Sequence, residues 1–134
     1  MKSIKLVCPL FIDLPRKTKK DKRVYLNMNI FHNLNPFDYN KVKIEISKLI
    51  GLQLLNQPTL TNTPIQAKFT FYNPVKGRRD VGNVCSIVEK LVSDALVDHN
   101  ILSDDDSEVL TDLHFKAGGY DKGNGRVEII YSES

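Results

Sequence analysis

The segment 65–100 changes its apolar period partway along. In IQAKFTFYN, Ile65, Ala67, Phe69 and Phe71 alternate with polar residues, which suits a strand with one buried face. After the turn PVKGRRD, Val84, Ile87, Val88, Leu91, Ala95 and Leu96 recur at helical spacing. A strand that turns directly into an amphipathic helix must bury both apolar surfaces against one core. That points to an α+β or α/β domain. Asn83 is the expected N-cap of this helix and Asn100 its end.

The rest of the chain supplies partners for that unit. Residues 2–13 read as a first strand, ended by Pro15. Val24, Tyr25, Leu26 and Met28 form a short strand-like run. Asn35 and Pro36 mark the start of a second amphipathic helix over about 38–54, with Val42, Ile46, Leu49 and Ile50 as its stripe. NQPTLTNTP is a loop. Beyond Asn100, LSDDDSE is a turn, VLTDLHFKA a strand, GGYDKGNG a turn and RVEIIYS a last strand. The last two strands are expected to pair as a hairpin. The order β-β-α-β-α-β-β predicts one α+β (α/β mixed) domain over 1–134, with a mixed sheet and two main helices. A length of 134 residues fits a single core.

Charge divides the chain. Residues 1–50 carry 11 Lys and Arg against 4 Asp and Glu, whereas residues 101–134 carry 3 against 8. A basic front suits a polyanion and an acidic rear suits cations. Six of the nine residues 15–23 are basic, so PRKTKKDKR reads as a hairpin tip that meets phosphate through Lys17, Lys19, Lys20, Lys22 and Arg23. Lys76, Arg78 and Arg79 sit in the turn before the helix that carries Val84 to Leu96 and are the other phosphate contacts expected, arginine being able to bind phosphate bidentately. Tyr25, Phe31 and Phe37 interleave with the basic front. They could stack on bases, although core packing is expected of at least two of them. No run of apolar residues is long enough to span a membrane, and the N-terminus lacks a signal-peptide pattern. Cys8 and Cys85 lie in apolar surroundings without metal-type spacing, which predicts reduced core thiols in a cytoplasmic protein.

Carboxylates bracket the helix that follows the strand. Asp80 precedes it, and Asp104, Asp105 and Asp106 follow it. Such oxygens are hard ligands for Mg²⁺, which activates water at a phosphodiester. The plain alternative is a cap and a solvated turn. A helix of sixteen residues is about 24 Å long. The two groups therefore meet within one chain only if the connections bend back. Otherwise they meet across a dimer or serve separate purposes.

Four ordered pieces are more specific. They are Asp80–Asn83 (D-x-x-N), Lys90–Leu96 (K-x-x-x-D-A-L), Ile101–Asp105 (I-L-x-D-D) and the closing hairpin in the Val109–Tyr131 region. Together they resemble the RusA family of Holliday junction resolvases, and LPRKTKKDKRVYLNMNIFHN is similar to the opening of phage-encoded members. The resemblance implies a homodimeric endonuclease that uses Mg²⁺, or Mn²⁺ in its place, without a small-molecule cofactor, and cuts four-way and other branched DNA. Carried over, Asp80 and Asp105 are metal ligands, Asp104 contributes or orients, and Lys90 is the motif lysine.

The chain departs from the family pattern twice. The usual D-x-D-N has a second aspartate where Gly82 stands; Glu89 and Asp106 are candidate substitutes. The motif lysine usually lies three residues after the asparagine, whereas Lys90 lies seven after Asn83. Four extra residues keep the facing to within about 40° and move the side chain about 6 Å along the axis. An i,i+4 ion pair with Asp94 is the plain alternative for Lys90. Two other readings stay open. One is a branched-DNA-binding or regulatory protein that has lost a metal-ligand carboxylate and with it the cutting. The other is a nuclease that nicks flaps and forks.

Overall fold

The structure, a computed structural model, describes residues 2–61 and 63–133. Its elements are β1 (Ser3–Cys8), β2 (Phe11–Leu14), β3 (Lys22–Tyr25), α1 (Met28–His32), α2 (Pro36–Gln53), β4 (Ile65–Asn73), α3 (Val81–Asp98), β5 (Leu110–Tyr120) and β6 (Arg126–Glu133). Four strands form one sheet in the order β1-β6-β4-β5, and β2 pairs with β3 in a separate hairpin. β4 runs parallel to β5 and antiparallel to β6, and β6 is antiparallel to β1. The domain is α+β with a mixed sheet, as expected.

Apolar period decides which face is covered. On β4, Ile65, Ala67, Phe69 and Phe71 are buried while Gln66 and Lys68 are exposed. On β1 the buried residues are Ile4, Leu6 and Cys8, and on β6 they are Val127, Ile129 and Tyr131. These positions share one core with Val42, Ile46 and Ile50 of α2 and Val88, Leu91, Val92, Ala95 and Leu96 of α3. Leu49 is half-exposed and lies off the α2 stripe. Cys8 and Cys85 are both buried and unpaired, and burial pushes their thiols up to about 12 and about 11.

Several boundaries differ from expectation for local reasons. The first strand is two, β1 and β2, parted at Pro9 and Leu10; Pro9 has no N–H to continue a ladder. The run through Met28 stops at Tyr25, because Asn27 caps α1 by accepting the Ile30 N–H at 2.9 Å. The cap of α3 is Asp80, not Asn83: Asp80 Oδ1 accepts the Asn83 N–H at 3.1 Å. Asn100 does end α3, in the left-handed conformation at φ 60°. The Ile101 N–H then reaches the Leu96 carbonyl at 2.8 Å, and the Asn100 N–H reaches that of Val97 at 3.0 Å. In the 56–64 loop, Asn62 lies outside the described residues.

The main correction concerns the closing hairpin, which does not form. β5 pairs with β4 and lies at the sheet edge, while β6 inserts between β1 and β4. Burial gives the reason. β6 buries four of its eight residues and so suits a central place, whereas β5 buries only Leu110 of its eleven. The turn after β5 therefore carries the chain across the end of β4.

Candidate functional site

The β4–α3–β5 unit puts the bracketing carboxylates at opposite ends of the sheet. β4 leads into Asp80, α3 runs back along the sheet, and β5 starts again parallel to β4. α3 has 18 residues, so it spans about 27 Å. Asp80 caps the start of α3, and the Asp104–Asp106 turn follows its end, with Asp105 close enough to act on Glu89 at mid-helix. Among the described residues no three His, Cys, Asp or Glu side chains are grouped to hold a metal ion. One chain alone therefore does not assemble the expected set of Asp80, Asp104 and Asp105.

At the first end, Asp80 is exposed, and its Oδ1 is occupied by the cap bond to Asn83. Lys76, Arg78 and Arg79 are exposed beside it, and among the described residues none of the three is ion-paired. Lys76 lies 5.7 Å from the Tyr120 ring centroid. A Cβ at Gly82 would meet only Asp80 Oδ1, at 3.5 Å. The position is open to a carboxylate; packing does not demand glycine there.

At the second end the three aspartates differ in their work. Asp106 Oδ1 accepts the N–H groups of Glu108 and Val109 at 2.9 and 3.2 Å and shapes the turn into β5. Asp104 Oδ1 accepts the Asp105 N–H at 2.8 Å, which orients Asp105. Among the described residues the Asp105 carboxylate has no hydrogen bond. It acts instead on Glu89. Burial raises the Glu89 carboxyl above its ordinary range, the bond from Ser93 opposes this, and the charges of Asp105 and Asp94 raise it further.

Glu89 tops a buried relay. Ser93 Oγ donates to Glu89 Oε1 at 3.1 Å and lies 2.7 Å from Tyr131 Oη. With the Ser93 proton on Glu89, Tyr131 donates to Ser93. Ser93 and Tyr131 are both fully buried. The only sequence signal for this relay is a serine on the apolar face of α3; its tyrosine partner is 38 residues away.

Lys90 sits at the middle of α3. It is exposed, follows Glu89, and its charge lowers the Glu89 carboxyl. The simple pair with Asp94 does not form: Asp94 meets Lys43 at 3.7 Å. Lys90 lies ten positions along the chain from Asp80, so it is about 15 Å from it along the axis.

The basic hairpin forms as expected, with residues 15–21 between β2 and β3. Lys17, Lys19 and Lys20 are exposed at its tip and are not ion-paired among the described residues. Lys22 and Arg23 have internal partners instead. Lys22 meets Asp38 at 2.6 Å, and Arg23 meets Asp13 at 2.9 Å while covering Phe11 at 3.9 Å. Each pair holds its aspartate below the usual carboxylate range, chiefly through the hydrogen bond. Of the three aromatics, only Phe31 is buried, edge-on to Tyr39; Tyr25 and Phe37 are exposed.

No protein-family model matches the chain, and no curated protein matches it significantly. No helix of the described residues is long and apolar enough to cross a membrane.

Proposed function

We propose that the protein is a Mg²⁺-dependent, structure-specific endodeoxyribonuclease of the RusA type, acting on four-way and other branched DNA as a homodimer. The observation that supports this best is that the described residues of one chain do not group Asp80, Asp104 and Asp105 to hold a metal, together with the shape of β5. That strand has eleven residues, pairs with β4 on one side and, among the described residues, has no strand on the other. Its Leu113 and Phe115 stand in register with buried Ala67 and Phe69, yet they are 44% and 40% exposed. Such an edge invites another strand. An antiparallel copy centred on His114 sets Asp112 against the partner's Lys116 and Leu113 against the partner's Phe115, each twice. That match is self-complementary, as a two-fold interface requires. Antiparallel pairing also lays the start of one α3 beside the end of the other. Asp80 of one chain then approaches Asp105 of the second.

In this reading Asp80 and Asp105 hold the metal and Asp104 orients Asp105. Lys90 faces the charge that develops on the phosphate. Lys76, Arg78, Arg79, Lys17, Lys19 and Lys20 hold the DNA backbone. A Mg²⁺ or Mn²⁺ ion held there would supply an activated water and charge neutralisation at the leaving oxygen. Two sites in one dimer match the paired cuts that resolve a junction. The protein works in the cytoplasm, where its buried thiols stay reduced. A second reading, a branched-DNA-binding protein without cleavage, is favoured by Gly82, which leaves each site one carboxylate short of the family pattern.

The test is a labelled four-way junction incubated with the protein in Mg²⁺ or EDTA, beside Asp80→Asn. Symmetric nicks that need Mg²⁺ and vanish in the variant are expected. Tight junction binding without nicking in Mg²⁺ or Mn²⁺ would leave the binding protein. Nicking of flaps and forks without symmetric cuts would replace the resolvase with a less selective nuclease.

A further inference from the structure

We infer that the cleft between the β2–β3 hairpin and the β4–α3 junction takes an unpaired nucleobase of the bound DNA strand, with that nucleotide's phosphate on Arg79. The inference rests on the DNA reading above. The cleft holds about 710 Å³. Leu10, Phe11, Leu26, Phe71 and Val84 make its walls apolar. A nucleobase is flat, with apolar faces and a polar edge, so it seeks aromatic or aliphatic walls and a few edge partners.

The aromatic wall is held in place and accessible. Phe11 and Tyr25 meet edge to face with ring centroids 5.9 Å apart. Arg23 covers Phe11, and the Asp13 carboxylate fixes Arg23 in turn. Tyr25 is 49% exposed, so its ring can still take a stacked base.

The polar groups suit a base edge. Asn27 Oδ1 is used by the Ile30 N–H, which leaves its NH₂ to donate. Asn124 Nδ2 is used by Asp121 Oδ2, which leaves its Oδ1 to accept. Asn73 is buried with both ends engaged, by the Gly77 carbonyl and the Val75 N–H, so it serves as wall. A Cβ at Gly125 would come within 2.7 Å of Leu10 and Pro74. The β5–β6 turn therefore presses directly against one side of the cleft.

Charge names the rest of the ligand. Arg79 lines the cleft, is exposed, and is not ion-paired among the described residues. A base alone is neutral, so a cation at an apolar cleft calls for an attached anion, and a nucleotide carries one. Asp80 follows Arg79 directly. A strand seated here would bring its phosphate to the Asp80 end of α3, and taking a base into the cleft requires the protein to open a pair where the four arms meet.

The experiment follows amide resonances of the full chain during titration with the single strand (dT)5, with thymidine 5′-monophosphate, and with an intact four-way junction in EDTA. Shifts at Phe11, Tyr25 to Asn27, Arg79, Val84 and Gly123 to Gly125 are expected with (dT)5. Val84→Phe fills the cleft and Tyr25→Ala removes an exposed ring; each should weaken (dT)5 by about tenfold, the scale of one lost base stack. Absence of these shifts while the junction binds tightly would overturn the cleft and leave the nuclease reading intact. Cleft shifts from a protein that never cuts the junction in Mg²⁺ would overturn the nuclease reading alone. Tighter binding of the monophosphate than of (dT)5 would overturn a DNA strand as the source and assign the cleft to a free nucleotide.

Discussion

Replacing Gly82 by aspartate should strengthen metal-dependent cleavage at almost no cost to the fold. Gly82 is the second residue of α3 and is exposed, and an added Cβ would meet only Asp80 Oδ1 at 3.5 Å. Its φ is not among the positive values that favour glycine. Helix propensity favours aspartate over glycine by about 0.3 kcal/mol. A negative charge in the first turn adds about 0.3–1 kcal/mol through the helix dipole. Repulsion from Asp80, at about 5 Å in a water-like dielectric, takes back about 0.8 kcal/mol. The sum lies within about 1 kcal/mol of zero, so urea unfolding should be nearly unchanged. The Mg²⁺ midpoint for junction cleavage should fall by about tenfold, which is about 1.4 kcal/mol of binding. Cleavage would be followed across a Mg²⁺ titration with both proteins. An unchanged or higher midpoint in a variant of unchanged stability would refute the view that Asp80 marks a metal site short of one carboxylate.

Three further outcomes follow from the same structure. The raised Glu89 carboxyl contributes stability that is fully present below its ordinary value of 4.5 and is lost as pH rises through its folded value. Glu89→Gln should therefore flatten that part of the stability–pH curve measured in urea, and an unchanged curve would show that Glu89 is not strained by burial. Replacing Lys17, Lys19 and Lys20 by alanine should reduce the salt slope of junction binding by about 2.7, near 0.9 per lost contact, without changing the melting temperature; an unchanged slope would remove the hairpin tip from the DNA interface. Phe115→Lys on the β5 edge should give a folded monomer by sedimentation equilibrium, and a persistent dimer would move the interface elsewhere.

The two long helices and the alternation of β4 were readable from the chain because burial imposes its period on neighbouring residues. Strand pairing was not readable in that way. β5 and β6 follow one another with a turn between them, which favours a hairpin, but the deciding fact is how much of each strand the core covers. Tyr131 and Ile129 on β6 require two flanking strands, and the mostly exposed β5 can stay at the edge. Within the candidate site the charged residues were visible and their internal pairing was not. Lys22 and Arg23 read like Lys17 and Lys20 in a basic run, yet Asp38 and Asp13 fold back on the first pair alone. Asp80 read as a ligand and Asn83 as the cap, whereas Asp80 is the cap with its second oxygen left over. The Glu89–Ser93–Tyr131 relay joins residues that only the packed sheet brings together.

Complementation between two inactive chains tests the shared site most directly. Asp80→Asn and Asp105→Asn variants would each be inactive on a four-way junction in Mg²⁺. Mixed dimers would contain one doubly altered site and one site with both carboxylates intact if Asp80 of one chain works with Asp105 of the other. Unfolding and refolding the variants together should restore nicking, with single nicks replacing paired cuts. A mixture that forms mixed dimers, binds the junction and still does not nick would contradict the shared site.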